Sequence, residues 1–213
     1  MVQSQPELYL ILPPAIEPDS FARQLAQALE APAVAALLLW LADDDLSVWQ
    51  RVSEALVAMA HSRGSPLLIA DTPERAARCG GDGLHMEADA KQIAAAQRSL
   101  GGKRMLGAGN IADRHSAMLA GEAGADYVFF GSANPHQAKP LPSLQLLSLV
   151  EWWSEMFQIP CVAPATEFEQ AARLAAAGAD FVAVRDLVWN DPRGPAAALN
   201  DLAQAMGGEE RLA

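Results

Sequence analysis

The sequence predicts an α/β fold, a (β/α)8 barrel in which eight parallel strands close into a ring inside a layer of helices. About eight short apolar runs alternate with about eight helical segments along 213 residues, and this alternation is typical of parallel α/β proteins. A second observation is a unit repeated at 79–86, 120–131 and 176–184, in which a small residue and glycine precede an aspartate and an apolar strand. An open doubly wound sheet is the alternative. It is disfavoured because Leu-Pro-Pro-Ala at 12–15 stands where a glycine-rich dinucleotide loop would follow the first strand.

The first four predicted strands are apolar runs that end at turn residues or polar loops. The helix after the first strand carries Phe21, Leu25 and Leu29 about one turn apart, as an amphipathic helix requires. Gly64 ends the long second helix, and Pro73 stands in the first turn of the third. The predicted strands are 8–12, 34–41, 67–70 and 83–86. The predicted helices are 20–30, 46–63, a short helix beginning at 71–74, and 88–100.

The second half of the chain repeats the alternation four more times. The run Tyr-Val-Phe-Phe at 127–130 is wholly apolar, as a strand covered on both faces should be. The predicted strands are 104–108, 127–130, 160–163 and 181–184. The predicted helices are 111–121, 143–157, 167–177 and 195–206.

Three aspartates of the repeated unit stand at the amino ends of predicted strands. They are Asp82, Asp126 and Asp180. Residues at this end of a barrel serve stability, whereas ligands bind at the carboxyl ends of the strands. We therefore expect the three carboxylates to cap local backbone and to take no part in function.

Composition indicates one globular domain spanning 1–213, with 51% hydrophobic and 19% charged residues. A formal net charge of -11 disfavours nucleic acid and anionic membrane as partners. Cys79 and Cys161 lie far apart, and neither a leader nor an apolar run of spanning length is visible, so a cytoplasmic location is expected. Trp152 and Trp153 are adjacent and cannot share one helix face, which leaves one of them for the surface or for a homodimer contact.

Several short motifs together resemble a known family. They are Leu-Tyr-Leu-Ile at 8–11, Pro-Leu-Leu-Ile-Ala-Asp at 66–71, Asp-Gly-Leu-His-Met at 82–86, Gly-Ala-Asp-Tyr-Val-Phe-Phe-Gly at 124–131, Pro135, Lys139-Pro140, and Gly-Ala-Asp-Phe-Val-Ala-Val at 178–184. Over nearly its full length the chain resembles the thiamine-phosphate synthases and thiazole tautomerases, which are small barrels. The synthase of that family joins a hydroxymethylpyrimidine pyrophosphate to a thiazole phosphate, and pyrophosphate leaves.

The resemblance implies a small-molecule site at the carboxyl mouth of the barrel. It implies magnesium held by Asp71 and Asp89, because carboxylates and cations must neutralise a departing pyrophosphate. It makes Lys139 the cation beside the leaving group, and His136 lies where a proton shuttle could reach a ligand. The residues expected to bind ligand are Trp40, Asp44, His85, Gly109, Asn110, Ser132 and Arg185.

The chain departs from the family's pattern mainly at the carboxyl ends of the strands. Trp-Leu-Ala-Asp-Asp at 40–44 replaces Gln-Leu-Arg-Asp-Lys, and Pro-Ala-Thr at 164–166 replaces a Gly-Gly phosphate loop. We therefore expect a divergent relative linked to thiamine metabolism that has largely lost the usual pyrophosphate and phosphate contacts. Three alternatives stay open: a working magnesium-dependent synthase, a tautomerase-like isomerase, and a non-catalytic barrel that binds a small ligand or a partner.

Overall fold

Eight parallel strands form a closed barrel in the order β1 to β8, and β1 pairs with β8 to complete the ring. The computed structural model describes residues 6–31, 34–87, 89–136 and 140–207. The strands are β1 Glu7–Ile11, β2 Val34–Leu39, β3 Leu67–Ala70, β4 Gly83–Met86, β5 Met105–Ile111, β6 Tyr127–Phe130, β7 Cys161–Pro164 and β8 Phe181–Val184. The predicted (β/α)8, or TIM, barrel is confirmed.

A helix follows each strand in the outer layer, and β8 is followed by two. The helices are α1 Pro18–Ala28, α2 Leu46–Ser62, α3 Pro73–Arg78, α4 Ala90–Leu100, α5 Arg114–Glu122, α6 Ser143–Met156, α7 Phe168–Ala176, α8 Asp186–Trp189 and α9 Pro195–Gly207. Side chains cap several helix starts; Asp45, for example, accepts the backbone N–H of Ser47 at 2.8 Å. None of the helices in the described ranges is both long enough and apolar enough to pass through a bilayer.

Two elements differ from the sequence prediction at the end of the barrel where the loops lie. Strand β5 runs on to Ile111, where a helix had been predicted to begin, because the Asn110 N–H donates to the Gly131 carbonyl at 2.7 Å and extends the pairing with β6. The short helix α8 was not predicted. It is fixed by Trp189, whose indole N–H donates to the Ile11 carbonyl at 2.7 Å.

The three repeated aspartates tie neighbouring strands together at the amino end of the barrel. Asp82 accepts the Leu67 N–H at 2.8 Å, which joins the start of β4 to the start of β3. Asp126 accepts the Leu106 N–H of β5 at 2.7 Å, and Asp180 accepts the Cys161 N–H of β7 at 2.8 Å. Their predicted structural role is confirmed, with one difference: each carboxylate caps the preceding strand instead of its own.

Candidate active site

A cavity of about 690 Å³ opens at the carboxyl ends of β6, β7 and β8. Ser132, Thr166, Arg185 and Asp186 bring polar groups to its wall. The Arg185 side chain is about a quarter exposed, and its Nε donates to the Asp186 carboxylate at 3.1 Å. The cavity therefore offers a guanidinium that is partly, but not wholly, neutralised by its neighbour.

A chain of hydrogen-bonded polar side chains is buried inside the barrel. The hydroxyl oxygens of Tyr9 and Tyr127 are 2.8 Å apart, and the Tyr127 hydroxyl is 2.9 Å from His85 Nδ1. His85 is fully buried, and desolvation lowers the pKa of its imidazole to about 3, so the ring is neutral. Its Nε2 has no hydrogen-bond partner among the described residues. The Trp40 ring meets the His85 ring edge to face, with centroids 5.9 Å apart.

Glu87 lies two residues beyond His85, so both side chains leave the chain on the same side. Its Oε1 accepts from the Ser132 hydroxyl at 2.6 Å, the Ala133 N–H at 2.8 Å and the Asn134 N–H at 3.3 Å. Burial raises the pKa of the carboxyl group above its ordinary value, although these donors pull it down. Its Oε2 is buried and, within the described part of the chain, makes no hydrogen bond.

Gly109 of β5 gives His85 and Glu87 the room they occupy. A Cβ at this position would lie 2.6 Å from His85 Nε2 and 3.1 Å from Glu87 Cγ. The first distance is far below a normal van der Waals contact, so any larger residue would displace the imidazole. The packing of His85 and Glu87 at the mouth of the barrel therefore requires glycine at position 109. We call His85, Gly109 and Trp40 the floor of the mouth.

The loop after β6 reaches across the mouth toward β2. Asn134 Oδ1 accepts the His136 N–H at 2.9 Å, and the His136 Nε2 lies 3.2 Å from the Ala42 carbonyl. With the contacts from Ser132, Ala133 and Asn134 to Glu87, the segment 132–136 is held on both sides of the mouth. We call this segment the mouth loop.

On the β2–β3 side of the mouth, an arginine and an aspartate form an ion pair. Arg75 Nη1 lies 2.8 Å from Asp71 Oδ2, and Arg75 Nη2 donates to the Asp44 carbonyl at 3.3 Å. The guanidinium lies over the Trp49 ring, 4.5 Å from its centroid. Asp71 has a positive φ of 93°. The Asp71 carboxylate on this side of the mouth is therefore already paired with Arg75.

Comparison with known proteins assigns the family. The model of the family described as thiamine monophosphate synthase matches residues 8–188. The chain belongs to the thiamine monophosphate synthase family. It is 41% identical to a protein named thiamine-phosphate synthase from Rhodospirillum centenum, over 94% of this chain and 98% of that protein. A thiamine-phosphate synthase from Hyphomonas neptunium is 40% identical over 90% of each chain.

A solved structure has the same fold. The thiamine phosphate pyrophosphorylase from Pyrococcus furiosus superposes with a TM-score of 0.79, covering 97% of this chain and 98% of that one. Its sequence identity is 20%, so this likeness supports the fold alone.

Four of the residues predicted to bind ligand in this family member lie together. Trp40 meets His85, Gly109 packs against His85 and Glu87, and Ser132 donates to Glu87. Arg185 stands with Ser132 on the cavity wall. The other predicted residues lie apart from that group. Asp44 belongs to the Arg75 cluster, Asn110 joins β5 to β6, and His136 is exposed in the mouth loop. Lys139 lies outside the described residues.

The predicted magnesium ligands do not form a ready-made metal site in this family member. Asp71 is paired with Arg75, and Asp89 caps α4 by accepting the Gln92 N–H at 2.8 Å. Within the described ranges, no group of three His, Cys, Asp or Glu residues is placed to hold a metal ion. The described residues therefore do not fit a metal held by protein alone, and magnesium remains a prediction from the resemblance.

Sequence reasoning missed Glu87 and Arg75. Strand alternation could have found Glu87, because it stands two residues after His85 at the carboxyl end of β4. The i,i+4 spacing of Asp71 and Arg75 could have suggested the ion pair, since such residues face each other when α3 is helical.

Proposed function

We propose that this protein is a thiamine-phosphate synthase, which couples hydroxymethylpyrimidine pyrophosphate to thiazole phosphate and releases pyrophosphate. The observation that carries the proposal is the 41% identity to a thiamine-phosphate synthase across 98% of that protein's length. This likeness favours the working synthase over the loss of synthase chemistry that we expected from the substituted loops. The same mouth residues then have to bind two anionic substrates.

The cavity beside Arg185 suits the thiazole phosphate. Its volume of about 690 Å³ is within the usual size range of small-molecule sites. A guanidinium binds phosphate through two parallel hydrogen bonds, so a phosphate would compete with Asp186 for Arg185. Ser132 on the same wall adds a hydroxyl.

The buried floor suits the pyrimidine ring. Trp40 and His85 present flat rings, and the His85 ring packs against Gly109. A planar heterocycle can pack on such a surface, because aromatic rings attract each other edge to face. Binding both rings in one mouth would bring the thiazole nitrogen to the pyrimidine methylene carbon, where the new C–N bond forms as pyrophosphate departs with the C–O electron pair.

A second candidate is proton transfer on a thiazole phosphate, as in a tautomerase. The specific observation that favours it is the pair of buried, unpartnered atoms Glu87 Oε2 and His85 Nε2, since a positioned acid and base are what a tautomerisation needs. This reaction requires neither magnesium nor a pyrophosphate site.

The test is a coupled-product assay on protein purified from a host that lacks its own thiamine-phosphate synthase. The protein is incubated with both substrates, with and without magnesium, and thiamine phosphate is measured by mass spectrometry. We expect product from the wild type and a strong reduction in Arg185→Gln. A folded wild-type protein that makes no thiamine phosphate in either condition would overturn the proposal, and isomerisation of the thiazole substrate alone would favour the second candidate.

A further inference from the structure

We propose that Glu87 binds the exocyclic amino group of the pyrimidine through Oε2 and thereby selects aminopyrimidine substrates. This inference rests on the proposed synthase function and assigns a residue of the same site. Glu87 does not belong to the motifs that carry the resemblance, which end at Met86 on this strand.

Glu87 is anchored through one of its two carboxylate oxygens. Oε1 accepts from Ser132 Oγ, Ala133 N and Asn134 N at 2.6, 2.8 and 3.3 Å, so the carboxylate cannot rotate without breaking these bonds. Oε2 is left buried with no partner in the described ranges. Leaving a buried carboxylate oxygen unpaired is costly, and a ligand N–H would remove that cost.

A second unpartnered polar atom in the described part of the chain belongs to His85, which packs against the same glycine as Glu87. His85 Nε2 is also buried and unpartnered among the described residues, and it borders the same Gly109 as the Glu87 side chain. The two side chains that carry the unpartnered atoms therefore pack against the same residue of β5. A ligand that reaches both atoms must offer a polar partner to each.

An aminopyrimidine offers what these two atoms need. Its amino group donates an N–H, which the carboxylate accepts, and its adjacent ring nitrogen is an acceptor for an imidazole N–H. The Trp40 ring, edge to face with His85, adds a flat apolar surface for the heterocycle. A phosphate is excluded here, because Glu87 would repel it.

The same contact would assist the reaction. When the C–O bond to pyrophosphate breaks and its electron pair leaves on oxygen, positive charge develops on the pyrimidine and spreads to the amino group. A carboxylate that accepts the amino N–H stabilises that charge until the lone pair of the thiazole nitrogen forms the C–N bond. The amino proton stays on nitrogen throughout.

The mouth loop must move for the ring to reach this position. It supplies the donors to Glu87 Oε1 and also contacts Ala42 through His136, and both unpartnered atoms are closed off from solvent in the structure. Substrate binding would therefore open the contact from His136 to Ala42 while the donors remain on Oε1.

The experiment compares two ligands by calorimetry: hydroxymethylpyrimidine pyrophosphate and its analogue with hydrogen in place of the amino group. We expect the wild type to bind the amino compound about 10- to 100-fold more tightly. Glu87→Gln should lose that preference, because the amide can keep its oxygen on the mouth-loop donors while placing an NH2 toward the ligand amino group. Glu122→Gln, an exposed carboxylate at the end of α5, is the matched control and should keep the preference.

Equal binding of the two ligands by the wild type would overturn the inference, and so would an unchanged preference in folded Glu87→Gln. The wild-type comparison stands even where the variant does not fold. This outcome is separate from that of the proposed function. If the wild type prefers the amino compound but makes no thiamine phosphate, only the synthase function is contradicted. If it makes thiamine phosphate without this preference, only the role of Glu87 is contradicted.

Discussion

His85 and Glu87 lie in different surroundings, although they are only two residues apart at the carboxyl end of β4. His85 is fully buried, touches Tyr127, and is kept neutral by desolvation. Glu87 is held by three donors of the mouth loop, which reach it from the far side of β5. The imidazole is thus part of the barrel interior, while the carboxylate belongs to the mouth.

The buried His85 gives a pH dependence of stability. Its pKa is about 3 in the folded protein and about 6.5 in an unfolded chain, so between these values only the unfolded state binds the proton. The free energy of unfolding should therefore fall as the pH drops from 6.5 toward 3, by at most about 1.4 kcal/mol per pH unit from this group. Urea unfolding of the wild type and His85→Gln at several pH values measures it. Parallel pH profiles for the two proteins would contradict the account.

At the scale of elements, the aspartates before β4, β6 and β8 each fasten one strand to the strand before it. A parallel strand leaves its first N–H groups unpaired unless something caps them, and these carboxylates do so. The mouth loop plays a related part at the opposite end, since it connects β6 to Glu87 and to the segment after β2.

Removing one of these fastenings should cost stability without changing chemistry. Asp126→Ala leaves the Leu106 N–H unpaired, and we expect a loss of about 1–3 kcal/mol in the free energy of unfolding. Asp126→Asn keeps an acceptor oxygen and should lose less. Chemical denaturation measures both, and equal losses in the two variants would mean that shape or charge, and not the hydrogen bond, is responsible.

Replacing His136 tests how strongly its contact with Ala42 restrains the mouth loop. His136→Ala removes the contact with the Ala42 carbonyl, which is exposed, so the free energy of unfolding should change by less than about 1 kcal/mol. The Ala133 and Asn134 amides should nevertheless exchange with deuterium faster, because the loop opens more often. Unchanged exchange would show that Glu87 alone holds the loop. If the predicted catalytic role of His136 is right, turnover will also fall.

For the molecule as a whole, the electrostatic field opposes the proposed substrates. The formal net charge is -11, yet both substrates are anions, and Arg185 is the cation that the described cavity wall offers them. Salt screens charges over about 10 Å at 0.1 M, so the long-range repulsion weakens before the short contact with Arg185 does.

Added salt should therefore raise the efficiency of the reaction. We expect kcat/KM for the pyrophosphate substrate to rise by a factor of about 2 to 10 between low and physiological ionic strength. Steady-state assays across a potassium chloride series measure this. A steady fall instead would mean that local cations at the mouth outweigh the net charge.

The barrel could be predicted from the sequence because the alternation of apolar strands and helices is a local pattern repeated along the whole chain. The site could be predicted only in part. Strand ends placed Trp40, His85 and Gly109 near one another, but Glu87 was overlooked because it lies one residue beyond the end of β4 and the alternation was not continued past the strand. Arg75 was missed since its partner, Asp71, had been read as a metal ligand and not as half of an ion pair.

The aspartate fastenings have a consequence for how this chain tolerates change. They secure the strands from the amino end, with bonds that are independent of any residue at the mouth. We expect mutations in the loops after the strands to cost little stability, whereas replacing Asp82, Asp126 or Asp180 should cost more. The ligand-binding end of such a barrel can change its residues because the bonds that hold the strands together lie at the opposite end.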